Sequence, residues 1–245
     1  MKTLSDKVVI ITGASSGIGE ATANILASKG AKVVLAARRI ERLKIITDNI
    51  IKSGNIAVYY KTDVTNKRDV EALVNNTLKE FGQIDVLINN AGIFSIAPLK
   101  HSLVDEWDKM IDVNIKGLLY GIAYTLPIMK KRGKGHIINI ASIDSFKVIP
   151  NHAVYCATKH AVKAISEGIR IENNNIKVTN ITPGLVKTEA SGNISNKCLF
   201  QIFEKEIDKI ALEPKAIANA IAFSIEQPYD VDVNEIVIRP RVQKE

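Results

Sequence analysis

Thiols are scarce in this 245-residue chain: Cys156 and Cys198 are the two cysteines, and they form neither a CxxC pair nor a disulfide framework. Both are expected as reduced thiols. No His/Cys cluster has zinc-ligand spacing, so no metal is expected. No apolar run reaches the roughly 20 residues that a membrane-spanning helix requires. The start, Met1 to Lys7, leads into a strand-like segment without a signal-peptide core, which points to a cytoplasmic protein away from the membrane. Charge of one sign is not concentrated either. Thirty-three basic residues stand against 26 acidic ones, a formal charge of +7, but the lysines are scattered. Runs such as Lys130-Lys131-Arg132 lack interleaved aromatics, so a solvated surface is expected and no nucleic-acid partner. With 46% hydrophobic and 24% charged residues, the composition excludes disorder, collagen and coiled coil.

What is present is an alternation of apolar β-branched runs with segments of helical period, the signature of parallel strands joined by crossover helices. Strands are expected at 8–11, 33–36, 57–60, 86–88, 136–140, 177–181 and 235–238. Helices are expected at about 17–29, 40–52, 69–81, from Trp107 past Asn114 to 129, at 153–171 and at 216–224. Val86-Leu87-Ile88 is apolar enough to be buried on both faces, which makes that strand central. Pro183-Gly184 is expected to break the sixth strand, and residues 187–213 read as polar, lysine-rich and weakly helical. These elements use up the length. The expectation is a single α/β domain over 1–245, a Rossmann-type doubly wound sheet of about seven parallel strands with helices on both faces.

Directly after the first strand stands Thr12-Gly13-Ala14-Ser15-Ser16-Gly17-Ile18-Gly19, with a helix beginning inside it. Unpaired N–H groups and partial positive charge at a helix N-terminus suit a pyrophosphate. Glycines let the chain turn sharply, approach phosphates and pack the helix on the sheet. Gly13, Ser15, Ser16, Gly17, Ile18 and Gly19 are therefore candidate cofactor contacts, although the spacing is GxxxGxG and not GxGxxG. Read alone, such a turn also admits a purely structural use. At the end of the second strand, where an NAD-preferring fold places an acidic residue, the chain has Ala36-Ala37-Arg38-Arg39. With no carboxylate and two guanidiniums, Arg38 and Arg39, the site favours NADP. Asp63, followed by Val64, is a candidate for the adenine amino group or for the N-cap of the next helix.

Four further pieces read together: Asn89-Asn90-Ala91-Gly92, Asn114, Ser142, and Tyr155-Cys-Ala-Thr-Lys159. Tyr155 and Lys159 are spaced to share one helix face. A nearby ammonium and an oxidised nicotinamide favour a tyrosine phenolate. In the reductive direction the phenol would protonate a developing alkoxide. Ser142 would hydrogen-bond the substrate oxygen where charge develops.

With the glycine turn, NNAG, a serine thirteen residues before the tyrosine of YxxxK, and Pro183-Gly184 in that order, the whole chain closely resembles the short-chain dehydrogenase/reductase family. The resemblance implies that Tyr155 is the acid/base, and that Lys159 tunes it and hydrogen-bonds the nicotinamide ribose. It implies that Asn114 interrupts its helix so that a main-chain carbonyl holds a water leading from Lys159 to solvent. It also implies that Asn90, Ala91 and Gly92 line the ribose and adenosine side. Pro183, Gly184, Val186 and Thr188 match a PGxVxT form that meets the carboxamide and pyrophosphate. The ending from Val231 to Pro240 is similar to the branch containing NADP-dependent serine and 3-hydroxy-acid dehydrogenases. A homo-oligomer, tetramer or dimer, is implied in the same way.

The expected activity is hydride transfer between NADP(H) and a small carbonyl or alcohol substrate. The substrate would be bounded by residues 93–96, the loop 143–152 and a lid at about 188–212. Asp144 would disfavour acidic substrates and suit a cationic or hydroxylated one, and His152 could assist binding. The other class to keep is a catalytically silent NADP-binding regulatory protein.

Overall fold

The uninterrupted apolar strands of the sequence are explained by a sheet buried on both sides. In the computed structural model, which describes residues 3–243, the strands are β1 (Val8–Thr12), β2 (Lys32–Ala37), β3 (Ala57–Lys61), β4 (Val86–Asn89), β5 (Gly135–Ile140), β6 (Ile176–Pro183) and β7 (Glu235–Ile238). All are parallel, in the order β3-β2-β1-β4-β5-β6-β7. The helices are α1 (Gly17–Ser28), α2 (Ile40–Lys52), α3 (Lys67–Phe81), α4 (Val104–Ile111), α5 (Gly117–Arg132), α6 (Ala153–Glu172), α7 (Lys197–Ile210) and α8 (Pro214–Glu226).

Successive strand residues point to opposite faces. Val9 and Ile11 thus join Val33 and Leu35 under α1, α2 and α8, while Val8 and Ile10 join Val34 and Ala36 under α3, α5 and α6. Each fully buried aliphatic side chain contributes roughly 1.5–3 kcal/mol, which is why the central strands carry few polar residues. The chain steps from β1 out to β3 and then crosses to β4 on the other side of β1. This reversal parts the connections at the carboxyl ends of β1 and β4 and opens a crevice there.

Several boundaries differ from the sequence expectation, each for a local reason. α3 starts at Lys67, not 69, because Asn66 caps it by accepting from the Arg68 N–H at 3.0 Å. The helical stretch expected through Asn114, which the resemblance implied is interrupted there, is α4 and α5 joined by a π-helical turn, Asp112–Lys116, in which the Gly117 N–H reaches back to the Asp112 carbonyl. Pro183 does not break β6 but ends it: a terminal strand position tolerates a missing N–H, and the Gly184 N–H continues the ladder to the Ile238 carbonyl at 2.7 Å. Residues 187–213 contain a 3₁₀ turn, Glu189–Asn193, followed by α7, whose N-cap Asn196 accepts from the N–H groups of Cys198 and Leu199 at 3.1 Å. Among the described residues no helix is long and apolar enough to cross a membrane, and no group of three His, Cys, Asp or Glu side chains is placed to hold a metal.

Candidate active site

The crevice is a cavity of about 720 Å³ bordered by the carboxyl ends of β1, β2, β4, β5 and β6 and by residues 188–207. At its floor the turn after β1 is shaped by glycines that side chains cannot replace. Gly13 has φ +65°, and a Cβ on Gly19 would stand 2.4 Å from the Gly13 carbonyl oxygen and 2.6 Å from Asn90 Nδ2. Ser16 is the N-cap of α1 but makes no side-chain capping bond, so it leaves the first-turn N–H groups open to an anion in the crevice.

Asn90 fastens the turn to the end of β4: its Nδ2 donates to the carbonyls of Thr12 at 2.8 Å and Gly13 at 3.2 Å. The Thr12 hydroxyl accepts from the N–H groups of Asn90 and Ala91 at 3.1 Å, a role the sequence reading missed. Below, Asn89, Asn139 and Asn180 pair at one level across β4, β5 and β6. Asn89 Nδ2 donates to Asn139 Oδ1 at 2.9 Å, and Asn139 Nδ2 donates to Ser166 Oγ at 2.8 Å, which levels the strand ends that carry the site. Polar residues at matched positions in otherwise apolar strands were the available signal.

Ala37, Arg38 and Arg39 border the crevice at the end of β2. The Arg39 guanidinium donates to Ser15 Oγ from Nε at 3.1 Å and from Nη2 at 3.0 Å, and to Ser16 Oγ from Nη2 at 2.7 Å. Arg39 is thus already held over the phosphate turn. Asp63 and Val64 border the same end. Asp63 is not the N-cap of α3, since Asn66 holds that place. Its Oδ1 accepts from the Thr65 N–H at 3.0 Å and hydroxyl at 2.8 Å.

At the other end, α6 presents Tyr155 and Lys159 one turn apart. Ser142, directly after β5, hydrogen-bonds the Tyr155 phenol, and its Oγ also accepts from the Asp144 N–H at 3.2 Å. Burial foremost, with the nearby Asp144 carboxylate, pushes the Tyr155 phenol above its ordinary pKa, while the Ser142 hydrogen bond pulls the other way. Lys159 Nζ donates to the Ile140 carbonyl at 2.8 Å and lies 5.8 Å from the Tyr155 ring centroid, and burial brings its pKa down to about 8.

Asn114 sits in the π-helical turn. Its Oδ1 accepts from the Ile93 N–H at 2.9 Å, and its Nδ2 donates to the Ile93 carbonyl at 3.0 Å and to Thr158 Oγ1 at 3.1 Å. The side chain thereby joins the stretch after Gly92 to α6. Gly92, Pro183, Gly184, Val186 and Thr188 all border the crevice.

The substrate end has an aromatic wall that the sequence reading did not find. Phe94 meets the Tyr155 ring edge-on at 4.7 Å, His152 at 5.3 Å and Phe203 of α7 at 4.8 Å. Asp144 and His152, weighed separately in the sequence, form a pair: His152 Nδ1 lies 2.8 Å from Asp144 Oδ2. The Asp144 carboxylate therefore already has a polar partner on the crevice wall.

The glycine cradle, the open N-terminus of α1 and the paired Tyr155 and Lys159 line one crevice, and their chemistry fits a dinucleotide. This is the layout of a nicotinamide-dependent oxidoreductase. The chain belongs to the short chain dehydrogenase family, whose model matches residues 7–199. An uncharacterized oxidoreductase of Staphylococcus saprophyticus is 50% identical, covering 99% of each chain. Among solved structures, the alcohol dehydrogenase of the archaeon Thermococcus sibiricus complexed with 5-hydroxy-NADP is 32% identical, with a TM-score of 0.88 over 98% of each chain. The closed form of a serine dehydrogenase complexed with NADP+ is 33% identical, with a TM-score of 0.85 over 94% of this chain and 93% of the other. A short chain dehydrogenase/reductase of Burkholderia phymatum in complex with NAD is 26% identical, with a TM-score of 0.88 over 97% and 90%. The resemblance seen in the sequence is therefore correct at the level of family, oxidoreductase class and nicotinamide cofactor.

Proposed function

We propose that the protein transfers a hydride between NADP(H) and a small carbonyl or alcohol substrate, with Tyr155 exchanging the proton on the substrate oxygen. The observation that carries this reading is a half-buried Tyr155, hydrogen-bonded to Ser142 and one turn from Lys159, at the inner end of a crevice whose outer end bears Arg38 and Arg39 and no β2 carboxylate. The bound cofactor supplies or accepts the hydride. Tyr155, protonated at neutral pH, donates to the oxygen of a carbonyl being reduced, while Ser142 hydrogen-bonds the same oxygen. Lys159 holds the ribose and provides the positive charge against which the phenolate forms.

The preference for NADP rests on the arginines, and the Thermococcus sibiricus and serine dehydrogenase neighbours, which carry NADP-type cofactors, support it. Phe94 and Phe203 suit a substrate with an apolar body beside its reacting group. Residues 188–212 act as a substrate lid. The free thiols Cys156 and Cys198 accord with a reducing, cytoplasmic setting, and a dimer or tetramer follows from the family resemblance. A silent regulator would have no use for Ser142, Tyr155 and Lys159 assembled in one crevice.

The test is a panel of aldehydes, ketones and hydroxy acids followed by NADPH absorbance. Turnover of a carbonyl or alcohol by the wild type, lost in Tyr155→Phe, is expected. Measurable NADPH binding without turnover of any compound would favour the regulator.

A further inference from the structure

Glu189 follows Thr188, whose side chain faces Gly17: a Cβ on that glycine would meet Thr188 Cγ2 at 3.1 Å. This places the Glu189 carboxylate at the phosphate turn, where it spans two guanidiniums. Its Oε2 lies 2.5 Å from Arg39 Nη1 and its Oε1 lies 2.6 Å from Arg42 Nη1. Arg42 is one turn along α2 from Arg39, so the two guanidiniums form one anion seat, and Arg39 is also anchored to Ser15 and Ser16. The strand that usually brings an acid to this place ends in Ala37. The carboxylate comes instead from the far end of the chain, from the segment that follows β6.

We propose that Glu189 is an intramolecular substitute for the 2′-phosphate of NADP(H) and therefore a residue that sets cofactor specificity. It occupies the seat of Arg39 and Arg42 in the free protein, must give it up when a 2′-phosphate arrives, and retains it when NAD(H) binds. The proposal rests on the NADP reading above. It adds Arg42 to the phosphate seat and makes Glu189 a competitor selective against NADP(H), because NAD(H) has no group that needs the seat. A phosphate carries roughly −1.5 to −2 charges against one for a carboxylate, so it displaces Glu189, but at a loss of affinity. The three side chains are about half exposed, and exposed pairs are individually weak, so the penalty is modest.

The test is to titrate NADPH and NADH separately into the wild type, Glu189→Gln, Glu189→Ala and Arg39→Ala, with thermal unfolding of each variant. Removing the competing charge is expected to raise the NADH-to-NADPH ratio of Kd values about threefold to tenfold in both Glu189 variants, corresponding to the one or two weak ion pairs released. Arg39→Ala should lower that ratio. A wild-type preference for NADPH that Arg39→Ala removes, but that both Glu189 variants leave unchanged, would overturn the proposal while sparing the NADP reading. Equal tightening of both cofactors would also overturn it, since that is the effect of general charge. Equal wild-type affinities together with an indifferent Arg39→Ala would remove the NADP reading and the proposal with it.

Discussion

Lys159 lies one turn beyond Tyr155 with its ammonium 5.8 Å from the phenol centroid, yet it donates to the Ile140 carbonyl and not to the phenol oxygen. The two residues are thus separable in their effects. On the proposed mechanism Tyr155→Phe deletes the proton donor and little else, so turnover should fall by at least the roughly hundredfold typical of general acid catalysis, with NADPH binding and fold retained. Lys159→Ala should weaken both binding and turnover. Steady-state rates and fluorescence titrations check this, and a Tyr155→Phe enzyme keeping more than about a tenth of wild-type turnover would refute the assignment.

With its pKa lowered to about 8, Lys159 should give cofactor binding a pH dependence if it holds the ribose as proposed. Its charged form is the one that favours the ribose hydroxyls and phosphates, so affinity is present below that value and declines as pH rises through it. NADPH titrations between pH 6.5 and 9.5 should show this decline in the wild type and not in Lys159→Met. A pH-independent wild type would exclude the lysine as the titrating group.

Arg38 and Arg39 at the end of β2, with Ala37 in place of an acid, should make NADP(H) bind more tightly than NAD(H). A charged hydrogen-bonding contact contributes roughly 1.5 to 3 kcal/mol, or about tenfold to a hundredfold in affinity. Arg38→Ala should remove part of the preference. Equal wild-type affinities for the two cofactors would rule it out.

His136, buried in β5 beside Lys177 and Lys7, has its pKa driven down to about 3, chiefly by burial, and its Nε2 lies 2.8 Å from Thr179 Oγ1. The unfolded chain takes up this proton near pH 6.5 and the folded one does not until near 3, so stability is full above about pH 6.5 and is lost progressively below it. Urea unfolding at pH 5 should show a loss of about 2 kcal/mol relative to pH 7 from this group. His136→Gln should flatten the dependence, and an unchanged slope in that variant would place the effect elsewhere.

Strand positions and the phosphate turn were legible because their signals are local: apolar runs of 4–6 residues, glycines at fixed spacing, and a tyrosine and lysine one turn apart. Pairings between distant segments were not. Glu189 meets Arg39 across 150 positions, and nothing near either residue announces the other. Asp144 and His152 are closer, but their pairing depends on how the loop after the 3₁₀ turn Ile143–Ser145 folds back, which no periodicity encodes. The helix break at Asn114 was foreseen from the family, whereas its form, a π-helical turn, follows from the Gly117 N–H reaching Asp112.

The segment from Thr188 to Leu212 is tied at its base and lightly held above it, the arrangement a lid requires. Lys187 N–H donates to the Leu212 carbonyl and Leu212 N–H to the Leu185 carbonyl, both at 2.9 Å, so the two ends cannot part while the middle moves. Within α7 only Ile207 is buried; across to the crevice Ile194, Leu199, Phe200 and Phe203 pack against Phe94 and Ile96, Glu189 pairs with Arg39 and Arg42, and within the segment Ser191 donates to Glu204. Ile194 and Ile207 apart, the apolar side chains of the segment are at most partly buried, which favours local opening at low free energy. Closing over substrate would exclude water from the site of hydride transfer. Amide hydrogen exchange across 188–210 is therefore expected to be fast in the free protein and to slow when NADP and a substrate analogue are both bound, while β1 and β4 remain protected throughout. Equal protection of the segment in both states would identify a permanently packed turn and helix, and the lid would be rejected.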